Sequence, residues 1–206
     1  MNLEGYIKNY PFLKSVSRET IEKLEIYISL LQQWNKKINL VSQQGMDQVW
    51  KRHVYDSFQL IRYLDSSVKS IADLGSGGGF PGLILALSTD IPVILIESDK
   101  RKTIFLREVL RQTKTQATVL CQRIENVNAI SVDVVTARAL TSLTQLLEFS
   151  KNILNKNGYC LFLKGRSIDL EIEEAQKNWK INYKTFSSQT NADGVIVKIN
   201  QFERVE

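Results

Sequence analysis

Residues 71–82 read IADLGSGGGFPG and decide the fold of this 206-residue chain. The stretch begins as an apolar strand and ends with Pro81, which suits the first turn of a helix. Its glycines allow the backbone to turn sharply and to come close to a ligand. It therefore predicts a strand, a binding loop and a helix, in the arrangement that doubly wound α/β folds use to bind nucleotides.

Beyond Lys69, short apolar runs alternate with helical patterns. The runs predict strands over residues 70–74, 92–97, 117–121, 132–137 and 159–164. The patterns between and after them predict helices over 81–87, 100–112, 142–154 and 168–179. Such alternation is typical of a parallel sheet covered on both faces. Two last strands, 181–187 and 194–200, flank a loop with Asp193-Gly194, which predicts that a seven-stranded sheet ends in an antiparallel pair.

The first 66 residues are predicted to form a helical extension packed on the core of residues 67–206, so that the chain makes one compact domain. Ser17 can cap a helix whose apolar positions follow at spacings of three and four: Ile21, Leu24, Ile28 and Leu31. A second helix is predicted over residues 46–64. Trp34 and Trp50 lie at helical spacing with aliphatic residues, which favours core packing over base stacking.

Composition limits the classes of protein that the chain can represent. Hydrophobic residues make up 43% and charged residues 24%, an ordinary globular balance. No signal peptide and no apolar run approaching about 20 residues is present, so a cytoplasmic protein without a membrane segment is expected. Cys121 and Cys160 lie in apolar runs and are expected to be buried, and with a single histidine they exclude a structural zinc site. The net charge of +5 hints at a polyanionic partner.

The glycine loop fits two binding patterns. Its second half, Gly77-x-Gly79-x-x-Gly82, has dinucleotide spacing. The overlapping pattern Asp73-x-Gly75-x-Gly77-x-Gly79 has the form found in class I S-adenosylmethionine-dependent methyltransferases. The position of Asp73 at the strand end and the long helical segment before the loop favour the methyltransferase, and a nicotinamide enzyme remains a distant alternative.

Two carboxylates are candidates for cofactor binding. Asp73 is predicted to receive the amino group of the methionine moiety. Glu97 ends the second strand, 22 residues after Gly75, where a carboxylate commonly binds ribose hydroxyl groups. The alternative for Glu97 is a surface carboxylate beside Lys100 and Arg101.

Several segments together resemble the RsmG family, also called GidB or glucose-inhibited division protein B. They are Trp34-Asn35-Lys36 with Asn39-Leu40, Arg52-His53-x-x-Asp56-Ser57, the loop GSGGGFPG, Ala137-Arg138-Ala139 and Leu163-Lys164-Gly165. The resemblance covers about residues 30–198. It implies a class I fold and methylation of N7 of one guanine, position 527 in the usual RNA numbering, of 16S ribosomal RNA. It also implies cofactor contacts at Gly75, Phe80, Ile124, Glu125 and Arg138.

The sequence lacks a motif that would indicate a different acceptor, an exocyclic amine. With only Pro11, Pro81 and Pro92, it contains no Asn-Pro-Pro-Tyr motif of the kind many exocyclic-amine methyltransferases use. Guanine N7 is an exposed lone pair that needs no proton removed before attack. An enzyme can therefore act on it mainly by positioning. The expected partner is 16S ribosomal RNA, in the small ribosomal subunit or a precursor, and the expected enzyme is a monomer without a metal.

The candidates for positioning the substrate are basic residues of these motifs: Arg52, His53, Arg138 and Lys164. A buried ion pair is the alternative for Arg138, and a core or capping role is the alternative for His53. Basic residues around residues 100–114 suit RNA phosphates or a solvated helix face. Two other functions stay open: a class I methyltransferase for a small molecule or a protein, and a non-catalytic nucleotide- or RNA-binding module on the same fold.

Overall fold

A seven-stranded sheet with the order β3-β2-β1-β4-β5-β7-β6 forms the centre of the computed structural model, which describes residues 14, 16–128 and 130–205. The strands are β1 Ile71–Leu74, β2 Val93–Glu97, β3 Thr118–Cys121, β4 Val132–Arg138, β5 Leu154–Lys164, β6 Trp179–Ser187 and β7 Val195–Arg204. Strands β1 to β5 are parallel, and β7 runs antiparallel to both β5 and β6. The predicted seven-stranded, mostly parallel sheet with an antiparallel last pair is confirmed.

Helices cover both faces of this sheet: α1 Arg18–Asn35, α2 Gln43–Asp47, α3 Asp56–Phe58, α4 Gly82–Ser88, α5 Lys100–Thr113, α6 Leu143–Ser150 and α7 Ile168–Gln176. Successive residues of a strand point to opposite faces, so the sheet separates two apolar cores. Ile71 of β1 packs in the core under α1, α4 and α5. Its neighbour Ala72 packs in the core under α6 and α7.

Helix α1 begins where the sequence predicts, because the Ser17 hydroxyl accepts a hydrogen bond from the Thr20 amide. Its predicted apolar face is buried and packs in the same core as α4 and α5. The division into residues 1–66 and 67–206 stays a prediction. Residues 1–13 of that extension lie outside the described residues.

The predicted helical pattern over residues 46–64 is confirmed as helical backbone over residues 49–63, but not as one regular α-helix. The segment consists of α2, a π-helical turn at Trp50–Tyr55, the single turn α3 and a 3₁₀ turn at Gln59–Tyr63. A π turn accommodates an extra residue, which changes the direction of the side chains that follow. Val54 and Leu60 are thereby fully buried, while Asp56 points toward the end of β4. Trp50 is buried in the core, as predicted.

Two helices end earlier in the structure than the sequence predicts. Helix α6 ends at Ser150 because β5 already begins at Leu154, which pairs with Val132 beyond a bulge in β4. Helix α7 ends at Gln176 because Trp179 begins β6, where it pairs with Arg204. Apolar residues at both boundaries extend the helical pattern in the sequence, although they belong to strands.

The two cysteines differ in environment. Cys160 is buried, as predicted, but Cys121 is exposed. The reason is the strand order, since Cys121 ends β3, the strand at the edge of the sheet. Within the described ranges, no three His, Cys, Asp or Glu side chains form a group that could hold a metal ion. No described helix has the length and apolar character needed to cross a membrane.

Candidate active site

A cavity of about 640 Å³ opens at the carboxyl ends of β1, β2 and β4. This edge is where open parallel sheets bind their ligands, and the volume is in the range of small-molecule sites. Seven of the residues predicted to bind a cofactor line it: Gly75, Gly77, Phe80, Glu97, Ile124, Glu125 and Arg138. The fold thus brings together segments from the glycine loop, β2, the turn after β3 and β4.

The glycine loop takes a backbone conformation that other residues rarely adopt. Gly75, Gly77 and Gly79 have φ angles of +62°, +54° and +99°. Gly82 is required for a different reason, since a Cβ atom there would lie 2.6 Å from Asp73 Oδ2. The loop can therefore run close over the end of β1, with its backbone exposed to the cavity.

Glu97 holds the glycine loop from the neighbouring strand. Its Oε2 accepts a hydrogen bond of 2.9 Å from the Gly77 amide, and its Oε1 accepts one of 2.8 Å from the Asp99 amide. Only 8% of the residue is exposed, yet it lines the cavity. A carboxylate has about four lone-pair sites, so it can accept further hydrogen bonds from a ligand. Glu97 is thus part of the site wall, and the surface alternative is wrong.

Asp73 lies at the end of β1, beneath the glycine loop. It has no exposed surface and is not among the cavity-lining residues, and its contact with a ligand amino group stays a prediction. The short strand β1 ends beneath the loop, which covers the carboxyl group. Its Oδ1 accepts a 2.8 Å hydrogen bond from the Thr136 hydroxyl of β4, and Oδ2 is buried with no hydrogen-bond partner among the described residues. Burial raises the pKa of Asp73 to about 6.

This pKa predicts a stability that falls as the pH rises. The folded chain holds the Asp73 proton up to about pH 6, whereas the unfolded chain releases it near 3.8, so folding loses stability across that window. We expect the free energy of unfolding of Asp73→Asn, relative to wild type, to increase by about 2 kcal/mol from about pH 4.5 to pH 7. Urea unfolding at both pH values measures the difference, in which the other titrating groups cancel. A constant difference would contradict a raised pKa.

Arg138 reaches the cavity from the end of β4, with its side chain 17% exposed. Its Nη1 donates a 3.1 Å hydrogen bond to the Arg52 carbonyl and lies 3.7 Å from Asp56 Oδ2. The guanidinium carbon is 5.0 Å from the centre of the Phe80 ring, a cation–π distance. Arg138 therefore lines the cavity and also forms an ion pair with Asp56, so a place in the site and an ion pair do not exclude each other.

His53 packs behind this group and does not line the cavity. Its ring stacks on Phe80 with centroids 4.9 Å apart, and both ring nitrogens are buried without a partner among the described residues. Burial, and then the charges of Arg138 and Arg52, lower the pKa of His53 to about 3. The imidazole is therefore neutral near pH 7 and supports the ring that Arg138 covers.

The single histidine makes this pKa measurable without assignment. We expect its Cε1 proton resonance to stay constant between about pH 5 and 8, because the folded protein does not protonate the ring there. In denaturant, the same resonance should titrate near 6.5, the ordinary value. The folded chain consequently loses stability as the pH falls through 6.5, where only the unfolded chain gains a proton. A midpoint near 6.5 in the folded protein would contradict the buried position.

The other two candidates for substrate positioning lie outside the cavity lining. Arg52 is exposed and contributes its backbone carbonyl to Arg138. The side chain of Lys164 is 8% exposed, and its Nζ donates to Thr141 O at 2.8 Å and to Glu171 Oε2 at 2.6 Å. Since Thr141 lines the cavity, Lys164 fixes the cavity wall in this structure and does not present a free cation.

Two residues without a predicted role support the loop from the N-terminal helices. The Tyr27 hydroxyl of α1 donates a 2.5 Å hydrogen bond to the Gly78 carbonyl. Asn35 accepts from the Leu40 and Val41 amides through Oδ1, which holds Leu40 against Gly78 at the cavity wall. Asn35 and Leu40 belong to the quoted WNK and NL segments, so a signal was present. Tyr27 appears in the sequence only as one more aromatic residue of a helix.

The sheet order, the antiparallel β7 and the glycine-loop cavity at the carboxyl edge define a class I methyltransferase. The structure of M. jannaschii TYW2 in complex with AdoMet shares this fold, with a TM-score of 0.56 and 16% identity over 82% of this chain and 80% of that chain.

The family described as "rRNA small subunit methyltransferase G", GidB, matches residues 20–196. Ribosomal RNA small subunit methyltransferase G of Gluconobacter oxydans is 48% identical over 94% of this chain and its own whole length. The protein of the same name from Rhodospirillum centenum is 45% identical over 90% of this chain and 86% of its own. The chain belongs to this family of methyltransferases, as its motifs predicted.

Proposed function

We propose that the protein transfers a methyl group from S-adenosylmethionine to N7 of one guanine, at position 527, of 16S small-subunit ribosomal RNA. One observation carries the proposal: a single cavity joins the glycine loop and Glu97 to the partly buried cation of Arg138. The name shared by the family relatives, which specifies small-subunit rRNA, supports the acceptor.

The residues present fit S-adenosylmethionine. The glycine loop offers backbone close to the cavity, as a bulky charged ligand requires. Glu97 offers free lone pairs for ribose hydroxyl groups, while Ile124 and Glu125 provide the wall for the adenine. When bound, the cofactor supplies an electrophilic methyl group. Asp73 contributes from beneath, since its contacts to Thr136 and the tight fit at Gly82 fix the loop.

Methylation of guanine N7 requires little acid–base chemistry from these residues. Guanine N7 attacks with a lone pair that carries no proton, so positioning and the exclusion of water are the main tasks. The guanidinium of Arg138 can donate hydrogen bonds to the acceptor base, while Phe80 supplies an apolar wall. His53 is a poor proton acceptor at neutral pH because of its low pKa and buried nitrogens.

Cations at the cavity support a polyanionic acceptor. Lys102 and Arg123 line it. Nearby Arg101 and Arg111 pair with Asp99 and Glu108, so much of the α5 charge is balanced on the surface. We infer that Lys102 and Arg123 neutralise RNA phosphates, which positions the RNA without reading its sequence. We further infer that the enzyme acts as a cytoplasmic monomer on the small subunit or its precursor, since that is where this RNA is folded.

Transfer of label tests the acceptor class. The purified protein is incubated with methyl-labelled S-adenosylmethionine and one of three acceptors: unmethylated small subunits, naked 16S rRNA or large subunits. We expect label in small-subunit RNA and none in large subunits. Absence of label from both small-subunit acceptors, with cofactor binding intact by calorimetry, would refute the acceptor and leave the fold assignment unchanged.

A further inference from the structure

One carboxylate, that of Asp56, connects three separate segments beside the cavity. Its Oδ1 accepts hydrogen bonds from Thr190 Oγ1 at 2.7 Å and from Ser188 Oγ at 3.0 Å. Both donors belong to the hairpin loop, residues 188–194, between β6 and β7. The same Oδ1 accepts a 2.9 Å hydrogen bond from Gln59 Nε2. Asp56 itself does not line the cavity, and its side chain is 16% exposed.

The second oxygen of Asp56 is directed at Arg138. Its Oδ2 lies 3.7 Å from Arg138 Nη1, which is ion-pair distance but long for a strong hydrogen bond. Three donors on Oδ1 fix the plane of the carboxylate and hence the position of Oδ2. The guanidinium is thereby held between Asp56, the Arg52 carbonyl and the Phe80 ring.

The hairpin loop is fixed to the N-terminal helical segment by further contacts. Gln59 Oε1 accepts a 3.0 Å hydrogen bond from the Gln189 amide, and the Tyr55 hydroxyl donates one of 2.5 Å to Gln189 Oε1. Gln59 and Thr190 are both buried, with 3% and 8% exposed. Buried polar groups lower the stability of a protein unless each has a hydrogen-bond partner. A network in which all of them are paired holds a single geometry.

We propose that Asp56 is a positioning residue that holds the Arg138 guanidinium for methyl transfer, and that the hairpin loop sets its orientation through Thr190 and Ser188. This rests on the proposed function of Arg138 toward the acceptor. A cavity cation must be held within a fraction of an ångström to orient a substrate, and a displacement of about 1 Å can cost about 100-fold in rate. Ser188 and Thr190, about 130 residues from Asp56 in sequence, therefore help to position a cation of the cavity from outside it.

A purely structural network would behave differently. It would attach the hairpin loop to the protein, and weakening it would lower the unfolding temperature without changing the rate at which folded enzyme transfers a methyl group. The positioning role predicts a lower rate with unchanged cofactor affinity, because neither Asp56 nor Thr190 lines the cavity.

Thr190 offers a matched pair of variants. Thr190→Val keeps the shape and removes the hydroxyl, whereas Thr190→Ser keeps the hydroxyl. In single turnover with saturating cofactor and unmethylated small subunits, we expect Thr190→Val to react about tenfold more slowly than wild type, and Thr190→Ser within about twofold. Cofactor affinity by calorimetry should stay within twofold for both. Asp193→Asn, which breaks only the exposed pair with Arg166 in the same loop, is the control and should match wild type.

A second readout does not depend on the acceptor. Solvent exchange of the Arg138 Nη1 protons, which donate to the Arg52 carbonyl and face Asp56, should be slow by NMR in wild type and Thr190→Ser, and about tenfold faster in Thr190→Val. Ser188→Ala, which removes the 3.0 Å bond, serves as a second variant if Thr190→Val does not fold. Unchanged exchange in these variants would overturn the positioning role. Lack of methyl transfer by wild type would instead refute the proposed acceptor.

Discussion

Arg138→Ala is expected to lower methyl transfer about 100-fold or more while the protein stays folded. The side chain lines the cavity and is held there by Arg52, Asp56 and Phe80. Alanine removes every guanidinium donor at the point where the acceptor must be oriented. Cofactor affinity should change far less, because the glycine loop and Glu97 remain in place.

Arg138→Ala leaves Asp56 without its cation but with three hydrogen-bond donors. We therefore expect the free energy of unfolding to fall by about 2 kcal/mol, less than for a fully buried unpaired charge. Single-turnover transfer and urea unfolding separate the two effects. Arg138→Lys is the matched control, since it keeps the charge and loses the planar fork. Full activity of Arg138→Ala would show that the residue is structural only.

Glu97→Ala is expected to weaken S-adenosylmethionine binding by about 1–3 kcal/mol, or about 5- to 150-fold. Two losses add up in this variant. The ligand loses a charge-assisted acceptor, and the Gly77 and Asp99 amides lose the oxygens that hold the loop and the start of α5 in position. Titration calorimetry of the purified protein with the cofactor measures the affinity directly.

Two further variants separate a specific effect of Glu97 from a general loss of charge. Glu97→Gln keeps one acceptor oxygen and the size of the side chain, so its loss should be smaller. Glu108→Gln removes a carboxylate that pairs with Arg111 on the surface of α5, outside the cavity lining, and should bind like wild type. An affinity of Glu97→Ala equal to that of wild type would exclude Glu97 from the cofactor site.

The fold could be predicted because its signals are local. The glycine loop occupies one continuous stretch, and the apolar strands and amphipathic helices around it repeat with distinct periods. Seven of the residues predicted to bind the cofactor line one cavity, and their cofactor contacts stay predictions. Ile124 and Glu125 follow β3 and Arg138 ends β4, and the carboxyl ends of parallel strands meet at one edge of the sheet.

The features that the sequence did not predict depend on contacts between distant parts of the chain. The buried carboxylate of Asp73 accepts a hydrogen bond from Thr136 of β4, 63 residues away. Cys121 is exposed because the strand order leaves β3 at the edge of the sheet. That order depends on how distant segments pair, so no single segment predicts it. The π turn at Trp50–Tyr55 has no sequence signature.

The role of Asp56 illustrates the same limit within the site. The motif Arg52-His53-x-x-Asp56-Ser57 marks the residue as unusual, but its partners lie 132 and 134 residues away at Ser188 and Thr190. Only the paired geometry of β6 and β7 brings the hairpin loop back to it. Side chains that act through another residue are thus the hardest to identify from sequence.

The central claim concerns one atom, N7 of one guanine, and chemical mapping tests it directly. N7-methylguanine becomes a site of strand scission after reduction with borohydride and treatment with aniline, whereas methylation at the exocyclic amine or at ribose does not. Unmethylated small subunits treated with enzyme and S-adenosylmethionine should give one new enzyme-dependent cleavage, at guanine 527 of 16S rRNA, and Arg138→Ala should give none above background. Incorporated label without cleavage, or cleavage at another guanine, would contradict the proposed reaction.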